Sequence, residues 1–316
     1  MRRGHLPQPL RGIVPPLVTP LADPETLDRK GLERLVEHVL AGGVAGVFIL
    51  GTTGEGPSLS YRLRQQMIDM VVEQVAGRVP VLVGITDTSY DESLALAGYA
   101  ADAGAQAAVL APPCYYPAGQ EDLAGYLRRL AGACPLPLVL YNMPSHTKLA
   151  LHIDTLAQLL DMPNVVGMKD SSGDMIYFHQ ARRLARRRPD WTLLVGPEEL
   201  LAEAVLFGAD GGVCGGANVF PELYVALFQA ARAGQLDRLR TLHDQVIRVA
   251  SALYTLGSPG AAVTQGIKAA LAVLGICNDQ MAEPFASPAP NVRRAVEHRL
   301  RELSEELARL KERVPV

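Results

Sequence analysis

Two residues suited to covalent and proton-transfer chemistry end apolar runs of the sequence. Lys169 ends the run NVVGMK, and Tyr141 ends the run PLVLY. An amine enclosed by apolar residues loses hydration of its charged form, which increases the fraction of neutral, nucleophilic amine. A phenol beside it could carry protons to and from a carbinolamine, the step that makes and breaks a Schiff base. A strand-end lysine paired with Asp170, and a tyrosine packed in the core, remain the structural alternatives.

A glycine-rich turn at residues 51–60, GTTGEGPSLS, carries two hydroxyl groups on Thr52 and Thr53. Backbone amides and hydroxyls in such a turn suit a carboxylate. The turn lacks the G-x-x-x-x-G-K-[ST] pattern of a phosphate loop, and its glycines do not have the spacing of a dinucleotide-binding loop. It therefore indicates a carboxylate site or, in the plainer interpretation, a structural turn.

Two further loops carry candidate side chains. The segment APPCYYPAGQEDL places Tyr115 and Tyr116 among prolines, where they could reach a site or pack against a neighbouring subunit. His146 follows Y-N-M-P-S, and a single histidine in a loop is usually just solvated. No H-E-x-x-H motif occurs, and the seven histidines do not cluster with carboxylates at ligand spacing. No metal site is predicted.

Eight short apolar or β-branched runs must position these side chains, and segments with helical spacing of apolar residues separate them. The runs are residues 12–18, 46–50, 79–84, 107–111, 136–141, 165–169, 191–195 and 211–214. Alternating strands and helices predict an α/β fold with a parallel sheet, and eight units are the number that closes a (β/α)8 TIM barrel. An open doubly wound sheet is the alternative.

The strand pattern stops near residue 234, and three helical stretches follow, near 235–256, 260–275 and 291–311. The sequence thus predicts a catalytic barrel over residues 1–234 and a C-terminal helical extension over 235–316, with an irregular proline-rich segment at 283–290. Active sites of such barrels form at the carboxyl ends of the strands. Lys169, Tyr141 and the turn at 51–60 should therefore share one face.

Composition excludes several classes of protein. The 316 residues carry 30 basic against 33 acidic side chains and no basic stripe with aromatics, so nucleic acid is not expected as a partner. Four scattered cysteines indicate reduced thiols and not a disulfide scaffold or zinc site. No run of 18 apolar residues occurs, and the arginines near the amino terminus precede no apolar segment. We expect a soluble, cytoplasmic protein without membrane contact.

Four motifs, GTTGEGPSLS, YNMPSHT, GMKDSSGD and GGVCGGANVFPEL, occur in this order at four predicted strand ends. Together they resemble the dihydrodipicolinate synthase and N-acetylneuraminate lyase family of class I aldolases, over about residues 12–275. The resemblance implies that Lys169 forms an imine with pyruvate or another 2-oxo acid and that no other cofactor is needed. It also implies that Tyr141 carries protons and that Thr52 and Thr53 bind the keto-acid carboxylate.

The synthase branch of the family adds two further implications. Thr53 would join a proton relay with Tyr141 and a tyrosine of the adjacent subunit, which aligns best with Tyr115. A homotetramer or homodimer is expected. Synthases also carry an arginine where this chain has His146, and an imidazole replaces a bidentate guanidinium poorly.

The histidine in place of this arginine argues against the synthase reaction and changes the predicted substrate. The turn also resembles that of 2-keto-3-deoxygluconate aldolases, and APPCYY with GMKDSSGD resembles the 4-hydroxy-2-oxoglutarate aldolases. The leading prediction is an aldolase for a 2-keto-3-deoxy sugar acid or a 4-hydroxy-2-oxo acid. The alternatives are a 4-hydroxy-tetrahydrodipicolinate synthase, an N-acetylneuraminate lyase and, from another class, a non-catalytic keto-acid-binding homologue. Specificity is assigned to His146, Val213, Gly215 and Gly216.

Overall fold

The computed structural model of the protein describes residues 6–313, with side chains described up to residue 307. The predicted domain limits at residues 1 and 316 lie outside the described residues. Within them, every one of the eight predicted runs overlaps a strand of one parallel sheet, and the strands that carry Tyr141 and Lys169 each extend one residue further than predicted. In chain order the strands are β1 Gly12–Ile13, β2 Leu21–Asp23, β3 Thr26–Leu27, β4 Val47–Ile49, β5 Val81–Gly84, β6 Ala107–Leu110, β7 Leu138–Asn142, β8 Val165–Asp170, β9 Thr192–Val195 and β10 Gly211–Gly212.

The sheet curls into a barrel, which confirms the predicted fold. Its order is β1, β10, β9, β8, β7, β6, β5 and β4, with all neighbours parallel. The segment after β1 then meets β4, where the Leu17 amide donates to the Phe48 carbonyl at 2.8 Å and Pro16 bridges Phe48. Because this contact joins the two ends of the sheet, the open doubly wound alternative is excluded.

The predicted strand at residues 12–18 is shorter than expected. Only Gly12–Ile13 is regular, because Pro15 and Pro16 lack the amide hydrogen that a strand ladder needs. The antiparallel hairpin of β2 and β3 was not predicted from the sequence.

Nine helices accompany the barrel and three follow it in the described part of the chain. The first nine are α1 Arg29–Ala41, α2 Tyr61–Val75, α3 Tyr90–Ala103, α4 Gln120–Ala133, α5 Pro144–Thr147, α6 Ile153–Leu160, α7 Met175–Ala185, α8 Leu201–Leu206 and α9 Pro221–Arg232. The last three are α10 Leu236–Leu253, α11 Ala262–Val273 and α12 Pro290–Arg313. These confirm the three predicted helical stretches, and the chain before Pro290 is irregular as expected. No helix among the described residues has the length and apolarity needed to cross a membrane.

Two apolar clusters form the core. The larger lies between the strands and the surrounding helices, and the smaller fills the barrel interior. Along β7, Val139 and Tyr141 belong to the interior cluster while Leu138 and Leu140 belong to the outer one, as the two-residue period of a strand requires. The alternation of side chains along β7 therefore points Tyr141 into the barrel.

Candidate active site

Lys169 and Tyr141 lie side by side inside the barrel at the carboxyl ends of β8 and β7. They are register partners, and the Lys169 Nζ lies 4.2 Å from the centre of the Tyr141 ring and 5.2 Å from that of Phe48. Only 6% of Lys169 is exposed. Within residues 6–307 it forms no ion pair with a carboxylate, so the amine is held among aromatic rings. The nitrogen is therefore not held by a carboxylate, and its neutral form can attack a carbonyl carbon.

The alternative pairing of Lys169 with Asp170 does not occur. Asp170 is the next residue of β8 and points out of the barrel, where its carboxylate accepts a hydrogen bond from the Asn142 side chain at 2.8 Å. The Ser172 hydroxyl donates to it at 3.0 Å. Burial raises the pKa of Asp170, and these hydrogen bonds oppose the shift. The hydrogen bond between Asn142 and Asp170 thus joins the carboxyl ends of β7 and β8, the strands that carry Tyr141 and Lys169.

The glycine-rich turn brings Thr52 to this pair. The Thr52 Oγ1 lies 3.3 Å from the Tyr141 hydroxyl. The turn is tight, with positive φ angles at Leu50 and Glu55 of 59° and 56°. A Cβ on Gly56 would lie 2.1 Å from the Leu50 carbonyl oxygen, so only glycine fits there. The sequence prediction of a turn at this strand end is confirmed.

The remaining predicted residues differ in their burial and contacts. Thr53 is half-buried beside Thr52. His146 is exposed on α5, with its Nδ1 3.0 Å from the Ser145 hydroxyl. Tyr115 is 85% exposed, has a φ of 86°, and contacts the Tyr116 ring at 5.1 Å between centroids. Tyr115 therefore contributes nothing to the lysine site of its own chain.

Val213 belongs to the barrel interior together with Tyr141. Gly215 and Gly216 follow β10 in a short 3-10 turn, where Gly215 is half-buried and Gly216 is buried. A Cβ on Gly216 would lie 2.0 Å from the Tyr224 hydroxyl, so this glycine meets protein atoms and not open space. Packing against Tyr224 therefore requires a glycine at position 216.

A buried carboxylate near this loop was missed by the sequence reasoning. Glu198 follows β9 and is 3% exposed. It accepts hydrogen bonds from the Tyr224 hydroxyl, from the Tyr254 hydroxyl at 2.7 Å and from the Gly216 amide at 2.9 Å. Burial raises the pKa of Glu198 from 4.5 to about 7, and the hydrogen bonds oppose part of that shift. Its place at a strand end, in V-G-P-E-E, was the available signal.

This carboxylate should make stability depend on pH. A carboxyl group whose pKa is higher in the folded than in the unfolded chain destabilises the fold once pH exceeds the unfolded value, and the effect is complete above the folded one. A shift from 4.5 to about 7 corresponds to roughly 3 kcal/mol. We expect wild type to lose about that much stability, relative to Glu198→Gln, between pH 4 and pH 8. Urea unfolding across this range measures it.

The matched control is Glu199→Gln, because that neighbouring side chain is half-exposed and accepts none of these three hydrogen bonds. Its curve of unfolding free energy against pH should run parallel to that of wild type. Parallel curves for wild type and Glu198→Gln would show that the carboxyl group titrates normally in the fold.

A closed parallel barrel with an enclosed lysine beside a tyrosine at its carboxyl end is the arrangement of a Schiff-base-forming enzyme. The sequence model of the dihydrodipicolinate synthetase family matches residues 9–303. A 4-hydroxy-tetrahydrodipicolinate synthase of Methanopyrus kandleri is 34% identical over 297 residues, covering 93% of this chain and 96% of that protein. The chain belongs to the dihydrodipicolinate synthetase family.

Solved structures agree with that assignment. A dihydrodipicolinate synthase from Bacteroides thetaiotaomicron has a TM-score of 0.90 at 48% identity, covering 93% of this chain and 99% of its own. The prophage protein YagE of E. coli K12, solved in complex with pyruvate, has a TM-score of 0.88 at 27% identity, with 93% and 98% covered. Members of the family are lyases that form a lysine imine with pyruvate and use no external cofactor. The chain is a Schiff-base-forming carbon–carbon lyase of this family.

Proposed function

We propose that the protein is a class I aldolase in which Lys169 forms the imine with pyruvate or another 2-oxo acid. The observation that supports this best is the contact of the Lys169 amine with the Tyr141 ring at 4.2 Å inside the barrel. Thr52, 3.3 Å from the Tyr141 hydroxyl, adds a hydrogen-bonding group beside both. The proposed reaction is cleavage or formation of a 2-keto-3-deoxy sugar acid or a 4-hydroxy-2-oxo acid.

In the proposed cycle the Lys169 amine attacks the 2-oxo carbon while Thr52 and Thr53 hold the carboxylate, and loss of water gives a protonated imine. Tyr141 removes the proton of the C4 hydroxyl. The C3–C4 bond breaks, its electrons move toward the imine nitrogen to give an enamine, and an aldehyde leaves. Protonation at C3 and hydrolysis release pyruvate and restore the lysine. In reverse, the same steps condense pyruvate with an aldehyde.

The substrate range is proposed to depend on His146, Val213 and Gly215 around the barrel end, whereas a side chain on Gly216 would meet Tyr224 and not a substrate. Although the side chain is exposed, partial desolvation of its ring, followed by the charges of Lys148 and Lys169, lowers the pKa of His146 from its usual 6.5. The imidazole is then mostly neutral at pH 7 and offers one hydrogen-bond donor and one acceptor. A hydroxyl group matches it better than a carboxylate does, which favours a hydroxylated second substrate over an amino-acid semialdehyde.

A second candidate is 4-hydroxy-tetrahydrodipicolinate synthase, which is favoured by the names of the relatives. It needs a cation in place of the absent arginine. Lys148 is available, with its Nζ 2.5 Å from the Ser145 carbonyl oxygen at the end of α5. N-acetylneuraminate lyase is the other enzymatic alternative. A non-catalytic keto-acid-binding homologue would occupy the same barrel end without forming an imine.

Borohydride reduction with pyruvate, followed by peptide mass spectrometry, tests the common step. A reduced pyruvyl group on Lys169 is the expected result, and its absence under conditions that trap a known family member would support the non-catalytic alternative. Consumption of pyruvate with aspartate semialdehyde, against cleavage of 2-keto-3-deoxygluconate and 4-hydroxy-2-oxoglutarate, then separates the candidates. Faster turnover of the semialdehyde would overturn the aldolase proposal in favour of the synthase.

The proposal extends to assembly. The exposed ring of Tyr115 and its left-handed backbone support a role at a neighbouring copy. We propose a homodimer or homotetramer in which Tyr115 enters the partner's site. We also propose a cytoplasmic enzyme in which residues 1–234 form the catalytic barrel and residues 235–316 the extension.

A further inference from the structure

A buried ion pair joins the glycine-rich turn to the C-terminal helices. Glu55, in the turn, is 7% exposed, and Lys268, on α11, has no exposed surface. Their charged groups are in direct contact. The second Glu55 oxygen accepts the Ala282 amide at 2.7 Å, and the Lys268 Nζ donates to the Gln280 carbonyl at 2.6 Å. The pair thus fastens the turn to both α11 and the chain that follows it.

The turn requires an external support of this kind. Leu50 and Glu55 both hold positive φ angles, which non-glycine residues adopt at a cost. Inside the turn, the Glu55 amide donates to the Thr52 carbonyl at 3.0 Å. From outside, the Thr19 hydroxyl donates to the Gly54 carbonyl at 2.7 Å. The Glu55 side chain supplies a charged anchor three residues from Thr52, whereas the other charged anchor, Arg64, donates to the Leu59 carbonyl at 3.0 Å at the far end of the turn.

We propose that Glu55 and Lys268 are positioning residues, which hold the turn so that the hydroxyls of Thr52 and Thr53 meet the carboxylate of the 2-oxo acid. The inference rests on the proposed function, in which those hydroxyls bind that carboxylate. It makes the C-terminal helical extension a structural part of the substrate site. Neither residue contacts the substrate or the reacting atoms.

The energetics of the pair support a positioning role. Taking both charges out of water costs about as much as their attraction returns, so a buried ion pair is a weak source of stability compared with apolar packing. Burial indeed lowers the pKa of Lys268, and the nearby Glu55 charge opposes that shift. The pair instead fixes the orientation of the Glu55 side chain, because charged hydrogen bonds hold its carboxylate between the Ala282 amide and the Lys268 ammonium group.

The test uses the rate of borohydride trapping as a function of pyruvate concentration, which yields a half-saturating concentration and a maximal rate. Glu55→Gln, Lys268→Met and the double variant are compared with wild type. We expect the half-saturating concentration to rise about tenfold or more, as for the loss of a hydrogen bond to a charged substrate group, with a maximal rate within about threefold of wild type. Because the two residues act as one unit, the double variant should show no larger rise than either single variant.

Arg248→Gln is the matched control. It breaks the ion pair with Glu306 that joins α10 to α12 in the same C-terminal region, at 2.7 Å, and involves neither the turn nor residues 279–282. Its half-saturating concentration should equal that of wild type. A purely structural role for Glu55 and Lys268 predicts lower unfolding free energy with unchanged half-saturation, and that result overturns the proposal.

Either single variant leaves a buried charge unpaired and is the less stable for it. The double variant removes both charges and keeps the side-chain volume, so it decides the question if a single variant does not fold. An unchanged half-saturating concentration in the folded double variant also overturns the proposal. If wild type itself forms no pyruvate adduct, the proposed function is wrong. If wild type forms the adduct and the variants saturate like wild type, only the positioning role is wrong.

Discussion

Lys169→Met is expected to abolish both trapping by borohydride and carbon–carbon bond turnover. Methionine keeps the unbranched shape of the side chain among the rings of Tyr141 and Phe48 but offers no nucleophile. Loss of a residue that forms the covalent intermediate lowers turnover by at least about a thousandfold. Intact mass spectrometry after reduction with pyruvate should show no added mass, whereas wild type should carry one pyruvyl group.

The sequence makes the readout unambiguous, because lysine occurs at only five positions, 30, 148, 169, 268 and 311. Lys30→Met is the matched control, since Lys30 is exposed on α1, and it should keep full trapping. An adduct on Lys148 or Lys268 in the Lys169→Met protein would contradict the assignment of the imine. Lys169→Arg serves as a second variant: it keeps the charge, and a guanidinium stays protonated and cannot form the imine.

Much of the fold could be predicted from periodicity because a barrel strand is short and apolar on both faces. The runs ending at Tyr141 and Lys169 are continuous apolar segments, as expected for strands buried against both the interior and the helices. Once the barrel is inferred, the strand-end rule places the lysine, the tyrosine and the turn with Thr52 on one face. The observed contacts of these three residues with one another agree with that argument.

Which way a strand-end side chain points was harder to predict. Lys169 and Asp170 are neighbours in the sequence, and the period of two sends one into the barrel and the other out toward Asn142. The alternative pairing of Lys169 with Asp170 failed for that reason. The continuous apolar runs contain no alternation from which this direction could be predicted, so it followed only from the fold, in which Tyr141 shares the interior with Val139.

The supporting residues of the site depend on long-range contacts that no local pattern reports. Glu55 receives the amide of Ala282, 227 positions away, and Glu198 receives the hydroxyl of Tyr254, 56 positions away. A sequence signal did exist for Lys268, since a lone charge in the apolar helix AVTQGIKAALAV has to find a buried partner. The identity of that partner followed only from the folded chain.

Tyr141→Phe should lower turnover by about a hundredfold to ten-thousandfold, the range for loss of a positioned general acid–base group. The substitution removes only the hydroxyl, which lies 3.3 Å from the Thr52 Oγ1. The phenyl ring keeps its edge contact with Phe48, at 6.4 Å between centroids, and its contact with Lys169. Steady-state assays on the best substrate of the aldehyde panel measure the loss.

The same variant separates proton transfer from nucleophilic attack. Because Lys169 is intact, prolonged reduction with pyruvate should still give the adduct, but more slowly, since the carbinolamine must lose water without the phenol. Tyr99→Phe is the matched control: it loses a hydroxyl that donates to Asp69 at 2.7 Å on the surface, and it should turn over like wild type. If Tyr141→Phe also keeps wild-type turnover, another group moves the protons. Thr52 would then be the first to test, because its hydroxyl is the one hydrogen-bonded to Tyr141 among the described residues.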